Sequence, residues 1–356
     1  MAHPDLPPPM ATVGVLGWLR NNLFSSFFNT ILTFFSLYLL YLIIPPIVQW
    51  AFVNADWFGE SRDACTSGGA CWVFINVRFG QFMYGFYPPD EYWRVNFAFI
   101  LLVFLIIALL IDNFPKKGWL SVFTLLGYPI IAFFLFYGGV FGLEVVETNQ
   151  WGGLMLTLIL ATIGIVLSLP LGILLALGRR ADNMPIVKSL CIVFIEFWRG
   201  VPLITVLFMA SVMLPLFLPE GVNFDKLLRA VIGIVLFESA YIAEVVRGGL
   251  QSIDKGQYEA AEALGFGYWR STRLIILPQA LKLVIPGIVN TFIGLFKDTT
   301  LVLIIGLFDL LAVVQAAFTD PHWLAYAVEG YVFVAVVYWI FCFSMSRYSQ
   351  HLERIK

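Results

Sequence analysis

Residues 151–177 read WGGLMLTLILATIGIVLSLPLGILLAL and contain no charged side chain. A bilayer core about 30 Å thick requires roughly 20 apolar residues, because an α-helix rises about 1.5 Å per residue. Seven other stretches of the chain meet the same requirement. The sequence therefore predicts eight transmembrane helices, at about residues 27–50, 93–111, 119–142, 151–177, 186–217, 228–248, 282–312 and 322–346.

The composition of the whole chain agrees with this prediction. Of its 356 residues, 60% are hydrophobic and 12% are charged, and the mean hydropathy is +0.87. Soluble domains carry about 25% charged residues, so a soluble enzyme, a nucleic-acid-binding protein and a disordered regulator are all disfavoured. The alternating hydrophobicity of an outer-membrane barrel is missing, and the expected fold class is an all-α membrane protein.

The distribution of lysine and arginine predicts how the helices are oriented. With a cytoplasmic N-terminus, fourteen of these residues fall in inner segments and five in outer segments, as the positive-inside rule requires. Both termini are therefore predicted to be cytoplasmic. The first 26 residues are proline-rich and mixed in polarity. The apolar stretch after them is too long for a signal peptide, so no cleavable signal is expected.

Two of the four cysteines lie in the polar loop 51–92, which this topology places on the outer, oxidising side. Cys65 and Cys71 are separated by a short stretch of turn-forming residues. Both the compartment and the spacing permit a disulfide between them, and two free thiols are the alternative.

The chain changes character near residue 150. Residues 1–145 hold three Phe- and Leu-rich helices and are interpreted as an accessory region, whereas 150–346 hold five helices with glycine, proline and ionisable side chains at membrane depth. We interpret 150–346 as the working core and 347–356 as a cytoplasmic tail. Pro202 predicts a break or bend in the helix at 186–217, because proline removes a backbone donor and disfavours helix at the preceding residue.

The longest polar stretch of the core lies between the helices at 228–248 and 282–312. Within residues 249–281, the run 257–264 is rich in helix-forming residues and Gly265 is well placed to end it. Ala260, Ala261 and Leu264 are predicted to share one face. A two-turn helix with small residues on one side buries little in its own protein, and it suits insertion into a groove on a soluble partner.

This stretch resembles the EAA loop of bacterial ABC importer permeases. The resemblance rests on Glu259-Ala260-Ala261, on Gly265 and Ile275 with nine residues between them, and on Leu277-Pro278. The surrounding sequences EFWRGVP at 196–202, ESAYIAEVVRGGL at 238–250 and KDTTLV at 297–302 resemble the polar amino-acid uptake branch. The likeness covers about 150–345, and the extra N-terminal helices resemble the M-type permease of the general L-amino-acid transporter.

The resemblance implies a five-helix, MetI-like permease core with three added helices, serving as one half of an importer channel. A periplasmic binding protein would deliver an amino acid to two permease subunits, the second expected to be a different chain, and two copies of a cytoplasmic ATPase would drive transport. The EAA residues Glu259, Ala260, Ala261, Glu262, Leu264 and Gly265 would couple the chain to that ATPase.

The chain contains no G-x-x-x-x-G-K-[ST] motif, so it is not expected to bind or hydrolyse ATP itself. ATP and magnesium would be used by the partner, and no cofactor is expected in this chain. His3, His322 and His351 are far apart in the sequence, which supports no metal site. The chain is therefore predicted to be a transport subunit and not an enzyme.

Several ionisable side chains fall within predicted helices, where facing lipid would cost a few kcal/mol or more. Lys297 and Asp298 offer a cation and a carboxylate to an amino-acid zwitterion, and the resemblance adds Thr299 to the lining of the substrate pathway. The alternative is that these charges hold a broken helix to its neighbours. For Lys297 and Asp298 we favour the pathway role.

The other charged positions are more evenly balanced. Glu196 and Arg199 are spaced for pairing on one helix face, and we favour a structural role beside the break at Pro202 over a pathway role. Glu238 and Tyr241 share a face of the helix at 228–248, and either role fits them.

Two other functional classes fit part of the sequence. An ion-coupled secondary transporter would share the deep charges and broken helices, but it gives no reason for a helix shaped for a soluble partner. A membrane scaffold without transport would leave the deep charges unexplained. An ABC permease for another small solute also remains open, because the EAA loop reports on the ATPase and not on the cargo. Which amino acids are carried does not follow from the sequence.

Overall fold

The computed structural model describes residues 14–111, 114–217, 219 and 224–354. Within these ranges the chain is helical, with isolated β-bridges and no strand. The described chain divides after Val77 into two compact units. Residues 1–13, on which the prediction for the N-terminus falls, and residues 355–356 of the predicted tail lie outside the described residues.

The first unit begins with α1 (Gly14–Asn22) and α2 (Phe27–Val48), and a π-helical turn over Gln49–Val53 extends α2. Ser26 caps α2, because its hydroxyl accepts a hydrogen bond from the Asn29 amide at 3.2 Å. No residue of α2 is buried. Its apolar surface is therefore available to lipid or to a partner.

A compact turn follows α2 in the first unit. Cys65 and Cys71 form a disulfide with their Cα atoms 5.6 Å apart. The Asp56 carboxylate accepts hydrogen bonds from the backbone amide and the hydroxyl of Ser67, at 3.1 and 2.8 Å, and these bonds hold the pKa of Asp56 below its usual value. The segment 51–92, predicted only as a polar loop, also contains the 12-residue helix α3 (Val73–Tyr84).

The second unit carries the remaining helices. In chain order they are α4 (Tyr92–Leu110), α5 (Lys117–Val122), α6 (Tyr128–Tyr137), α7 (Gly153–Arg179), α8 (Pro185–Gly200), α9 (Leu203–Phe208), α10 (Leu214–Phe217), α11 (Lys226–Gln251), α12 (Lys255–Ala263), α13 (Tyr268–Ser271), α14 (Leu277–Asp298), α15 (Leu310–Phe318) and α16 (Ala327–Arg354). π-helical turns join α5 to α6, α9 to α10 and α13 to α14.

Six helical segments in the described ranges are long and apolar enough to cross a membrane. They are Phe27–Val53, Pro89–Leu110, Lys117–Tyr137, Gly153–Arg179, Tyr268–Ile305 and Ala327–Arg354. The pair Pro185–Gly200 and Leu203–Phe217 is bent by 101° and counts as a seventh span if it crosses as one. The bend lies where Pro202 predicts it. The eighth predicted span is α11, whose length suffices but whose charged residues make it more polar than the others. The total of eight stays a prediction.

The second unit is centred on α7 and α11, which approach closely. A Cβ on Gly172 of α7 would lie 2.5 Å from the Ile242 side chain of α11, so only glycine fits there. Buried aliphatic side chains from α7, α8, α11 and α14 form one core cluster, whose members are Leu175, Ala176, Ile195, Ile242, Ala243, Val246, Leu250, Ile276, Ala280 and Ile288. This cluster fixes the four helices that carry most of the charged candidates.

The prediction of one helix over 282–312 is wrong. α14 ends at Asp298, a 3₁₀ segment covers Thr299–Ile305, and α15 begins at Leu310. Gly306 takes a left-handed conformation with φ +72°, which glycine adopts without strain and which stops a helix. Asp309 then caps α15 by accepting hydrogen bonds from the Leu311 and Ala312 amides. The glycine that stops one helix and the aspartate that caps the next are three residues apart.

Candidate functional site

One carboxylate, that of Glu244, lies among three arginine side chains from three helices. Glu244 Oε1 is 2.7 Å from Arg179 Nη1, and Glu244 Oε2 is 2.8 Å from Arg247 Nη2 and 3.7 Å from Arg199 Nη1. These residues and Glu196 are called the Glu244 cluster below. Glu244 and Arg247 are three residues apart on α11, a spacing that allows an ion pair, and the carboxylate also reaches arginines of two other helices.

Glu196 and Arg199 do not use each other as the spacing suggested. Glu196 Oε1 pairs with Arg179 Nη1 at 2.9 Å, whereas the Arg199 guanidinium reaches Glu244 and lies 5.7 Å from the centre of the Tyr241 ring. Arg179, at the end of α7, brings the α8 and α11 carboxylates together. The spacing of charged residues along one helix predicts pairs within that helix only, so it did not predict the bridging role of Arg179.

Glu238 is the deepest carboxylate of α11, with 5% of its surface exposed. In the part of the chain that the structure describes, it makes no hydrogen bond or ion pair. Asp298 is close enough to interact with it electrostatically. The two carboxyl groups come from α11 and from the end of α14, so the structure brings together two of the predicted pathway residues. Tyr241, one turn further along α11, is partly exposed.

Lys297, Asp298 and Thr299 occupy the junction where α14 passes into the 3₁₀ segment. They lie at the end of the helix and not near its middle, as the predicted span 282–312 implied. Lys297 is exposed, Asp298 is half-buried and Thr299 is buried. The Thr299 hydroxyl donates to the Phe296 carbonyl at 2.8 Å. The Thr299 hydroxyl is therefore hydrogen-bonded to the local backbone, and the charged groups available to a ligand at this junction are those of Lys297 and Asp298.

The predicted helix over 257–264 is observed as α12. The Asp254 carboxylate caps it by accepting a hydrogen bond from the Gly256 amide at 2.7 Å. Ala261 is buried at 1% exposure, whereas Leu264 is 74% exposed. The prediction that Ala260, Ala261 and Leu264 share one face is therefore wrong, because Ala261 packs inward against the protein. The outward residues of the predicted coupling set are Glu259, Ala260, Glu262, Leu264 and Gly265.

Gly265 ends α12 in the left-handed conformation, with φ +74°. Its amide donates to the Glu262 carbonyl at 2.8 Å, and the Phe266 amide donates to the Ala261 carbonyl at 3.0 Å. These bonds close the last turn of the helix, as a left-handed C-terminal residue commonly does. The chain then turns into α13, where Tyr268 and Trp269 are exposed. α12 and α13 together present a short helix and two aromatic rings at one surface.

A contact network holds the base of α12 to α7. The Arg180 guanidinium donates to the Leu250 carbonyl at 3.0 Å and to the Tyr258 hydroxyl at 3.1 Å, and Tyr258 donates to the same carbonyl at 3.2 Å. Arg180 is the neighbour of Arg179 in the Glu244 cluster. The end of α7 therefore contacts both the charged cluster and the exposed helix.

A comparison with known families decides the class of this arrangement. The model of the family described as binding-protein-dependent transport system inner membrane component matches residues 168–355, more than half of the chain. The chain belongs to this family. The matched region of this transport system component contains α8, the Glu244 cluster, α12 and the Lys297–Asp298 junction.

Its relatives are amino-acid transporters. An inner membrane amino-acid ABC transporter permease protein of Escherichia coli strain K12, YhdY, is 59% identical over 354 residues, covering 99% of this chain and 96% of the relative. The glutamate/glutamine/aspartate/asparagine transport system permease protein BztC of Rhodobacter capsulatus is 42% identical, covering 98% of this chain and 95% of the relative. Both matches include the N-terminal helices.

The core also resembles a solved structure. The chain described as the crystal structure of an amino acid ABC transporter with histidines is 30% identical, with a TM-score of 0.51 over 57% of this chain and 92% of that one. The predicted recognition as an amino-acid ABC permease, and the predicted all-helical permease fold, are confirmed. This binding-protein-dependent transport component is thus a multi-pass membrane protein of the amino-acid ABC permease class.

Sequence reasoning missed a buried polar network in this permease. The Tyr338 hydroxyl of α16 donates to Asp309 Oδ2 at 3.1 Å, and the Leu310 amide donates to the Thr157 hydroxyl of α7 at 3.1 Å. Asp309 and Thr157 are both fully buried. The network ties α7 and α16 to the turn before α15. The signal in the sequence was Gly306 followed by Asp309, a helix stop and a helix cap.

Proposed function

We propose that this chain moves L-amino acids from the periplasm to the cytoplasm as one transmembrane subunit of an ATP-driven importer. The observation that carries the proposal is the exposed two-turn helix α12, which buries Ala261 and leaves Glu259, Ala260, Glu262 and Leu264 outward. A helix that buries so little of its surface in its own chain is suited to be stabilised by insertion into a groove of a partner protein. The family membership supports an ATPase as that partner.

In this proposal α12 transmits motion to the pathway. Its base is hydrogen-bonded to Arg180 through Tyr258, and Arg179 joins the Glu244 cluster one residue earlier. A displacement of α12 by the ATPase would therefore act on the end of α7 directly, and through Glu244 on α8 and α11. Glu196, Arg199 and Tyr241 then serve to hold these helices together and need not touch the cargo.

The proposed cargo site lies between α11 and the end of α14. An amino-acid zwitterion needs a carboxylate for its ammonium group and a cation or backbone donors for its carboxylate. Glu238 and Asp298 supply carboxyl groups from two helices, and Lys297 supplies the cation. A buried carboxylate without a hydrogen-bond partner costs free energy unless a ligand compensates it. This cost is the physical support for placing Glu238 at the cargo.

We further propose the assembly that this role requires. It contains two ATPase copies, which bind ATP and magnesium, a second permease subunit of different sequence, and a periplasmic amino-acid-binding protein. Both termini of this chain are cytoplasmic, and this chain binds no nucleotide or metal itself. α12 then lies on the cytoplasmic side, where an ATPase can reach it.

The test is purification of the full-length, tagged chain from native membranes in a mild detergent, followed by identification of what remains bound. We expect an ATPase and a second permease in stoichiometric amounts, and ATP hydrolysis that the amino-acid-loaded binding protein stimulates. The matched variant is Leu264→Asp, which keeps the fold of α12 but charges its exposed surface. The ATPase should not remain bound to this variant. Recovery of a stable chain that binds an amino acid alone would favour an ion-coupled transporter instead.

A further inference from the structure

A groove of about 290 Å³ runs between α6 and α7, with α4 behind it. Its floor is buried and consists of Tyr128, Ala132, Phe136, Trp151 and Ile159. Its rims are exposed and include Leu125, Phe133 and Leu167. The groove lies within three of the segments that are long and apolar enough to cross a membrane. Its open side therefore faces the hydrocarbon of the bilayer.

Contacts between α6 and the segment that leads into α7 close one end of the groove. The rings of Phe136 and Trp151 pack edge to face with centroids 5.7 Å apart, and the Val146 amide donates to the Tyr137 carbonyl at 2.8 Å. These contacts lie beside the loop 138–152, which connects the two helices. Further along, small and planar side chains such as Ala132 leave the space between the helices unfilled.

The lining selects an apolar occupant. Three of its four polar side chains already have a partner within the protein: Thr124 Oγ1 donates to the Leu120 carbonyl, the Tyr128 hydroxyl to the Ala98 carbonyl and the Trp151 indole to the Val146 carbonyl. The groove holds no charged residue. A polar ligand would lose its hydration there without gaining hydrogen bonds in return.

The dimensions select a hydrocarbon chain over a helix. From Thr124 to Phe136 the groove follows about 18 Å of helix at about 1.5 Å per residue, close to half of a bilayer core about 30 Å thick. A volume of about 290 Å³ over that length gives a mean cross-section of about 16 Å². A helix about 10 Å wide has a cross-section several times larger. The volume suits one extended acyl chain.

We propose that this groove binds one acyl chain of a membrane phospholipid, from the leaflet on the side of the loop 138–152. In the proposed orientation this is the outer leaflet. The lipid fills the gap between the α4–α6 pair and α7, and it fastens these helices to α7 through dispersion contacts along the whole groove. The assignment does not depend on the cargo or on the ATPase.

The test uses photoreactive lipid. The full-length chain in its purified complex is placed in nanodiscs of phosphatidylethanolamine and phosphatidylglycerol, with one tenth of the phosphatidylethanolamine carrying a diazirine in one acyl chain. After irradiation, mass spectrometry locates the adducts. We expect Leu125, Phe133 and Leu167 to carry at least about five times more adduct than Leu126 and Ile130. Both are exposed outside the groove, Leu126 in the π-helical turn before α6 and Ile130 on α6.

Two adjacent substitutions provide a matched pair. Leu125→Trp places an indole across the rim and should reduce labelling of Phe133 and Leu167 about fivefold or more. Leu126→Trp changes a more exposed neighbour, 67% against 50% exposed, and should leave labelling unchanged. If Leu125→Trp fails to assemble, Leu167→Trp replaces it. Equal labelling of all lipid-facing positions in the unsubstituted chain would overturn the proposal, as would loss of labelling in both tryptophan variants.

Discussion

At the scale of single residues, Gly265 decides how α12 ends. Its φ of +74° is a conformation that costs L-amino acids with a Cβ roughly 1–2 kcal/mol. We expect Gly265→Val to lower amino-acid uptake about tenfold, since about 1.4 kcal/mol changes the population of the native turn by that factor. Gly265→Asn should be milder, because asparagine tolerates this conformation. Uptake by proteoliposomes is the measurement.

Gly267, two residues later, is the control for this series. It has an ordinary φ of −70° and open space around its Cα. Gly267→Ala should therefore transport like the unsubstituted chain. A loss of uptake in Gly267→Ala as large as that in Gly265→Val would show that the conformation of Gly265 is not the cause.

Glu244 is the residue on which the charged cluster depends. Glu244→Gln leaves three arginine side chains around a neutral amide, and removing the charged partner of a partly buried cluster costs about 1–3 kcal/mol. We expect the melting temperature of the purified complex to fall by several degrees. Asp182→Asn is the comparison, because Asp182 pairs with Lys188 at 2.6 Å while 80% of its side chain is exposed. Similar melting temperatures for both variants would contradict the role of Glu244.

Asp298 tests the proposed cargo site. Asp298→Asn removes one of the two carboxyl groups that α11 and the end of α14 bring within electrostatic reach of each other. We expect the KM for amino-acid uptake to rise about tenfold or more, as the loss of a charged contact worth at least about 1.4 kcal/mol implies. Asp298→Glu retains the charge and should recover part of the affinity. An unchanged KM for every amino acid tested would remove Asp298 from the pathway.

At the scale of elements, the turn between α2 and α3 is held by both a disulfide and the Asp56–Ser67 hydrogen bonds. Because folding lowers the pKa of Asp56, its contribution to the stability of the turn is present above the usual aspartate pKa of about 4. The contribution is lost as the pH falls through the lowered pKa. Asp56→Asn mimics the protonated state at neutral pH.

We expect trypsin to cleave Asp56→Asn after Arg62 severalfold faster than the unsubstituted chain, in vesicles that expose the outer face. Asp63→Asn removes a carboxylate from the same turn without touching Ser67, and its cleavage should not change. Equal cleavage rates for the three proteins would show that the Asp56 carboxylate does not stabilise the turn.

The sequence predicts helices better than it predicts their ends. Apolar stretches located the six long apolar segments of the described chain and the bent pair, and Pro202 located the 101° bend. The helix predicted over 282–312 failed because hydropathy does not change at Gly306 or Asp309, although the backbone does. The length and polarity of an apolar stretch indicate whether it can lie within the membrane. Capping residues and left-handed glycines indicate where a helix begins or ends, and this information is independent of hydropathy.

The candidate site shows a similar division. The coupling helix followed from local residues, since helix formers and a terminal glycine are neighbours in the sequence. The three-way sharing of Glu244 did not follow, because Arg179, Arg199 and Arg247 are brought together by the packing of α7, α8 and α11. The same holds for Tyr338 and Asp309. Contacts between distant helices depend on the crossing geometry, which no local pattern records.

At the scale of the whole molecule, the number of membrane crossings fixes the side on which the chain ends. Eight crossings would put both termini on the same side of the membrane, which the distribution of lysine and arginine predicts to be the cytoplasm, whereas seven would put them on opposite sides. We expect fluorescent-protein fusions at either terminus to be fluorescent, and alkaline phosphatase fusions there to be inactive. A phosphatase fused after Ser61, in the outer turn, should be active. Opposite results at the two termini would mean that either α11 or the bent pair does not cross.

The Glu244 cluster also has a mechanical consequence. The Glu244 carboxylate is shared by side chains from α7, α8 and α11. A rotation of one of these helices alone would therefore stretch its ion pair with the other two. The links are electrostatic and partly exposed, so dissolved salt loosens them. The three helices should therefore move together as one rigid body at low ionic strength, and their movements should become less coupled as the salt concentration rises.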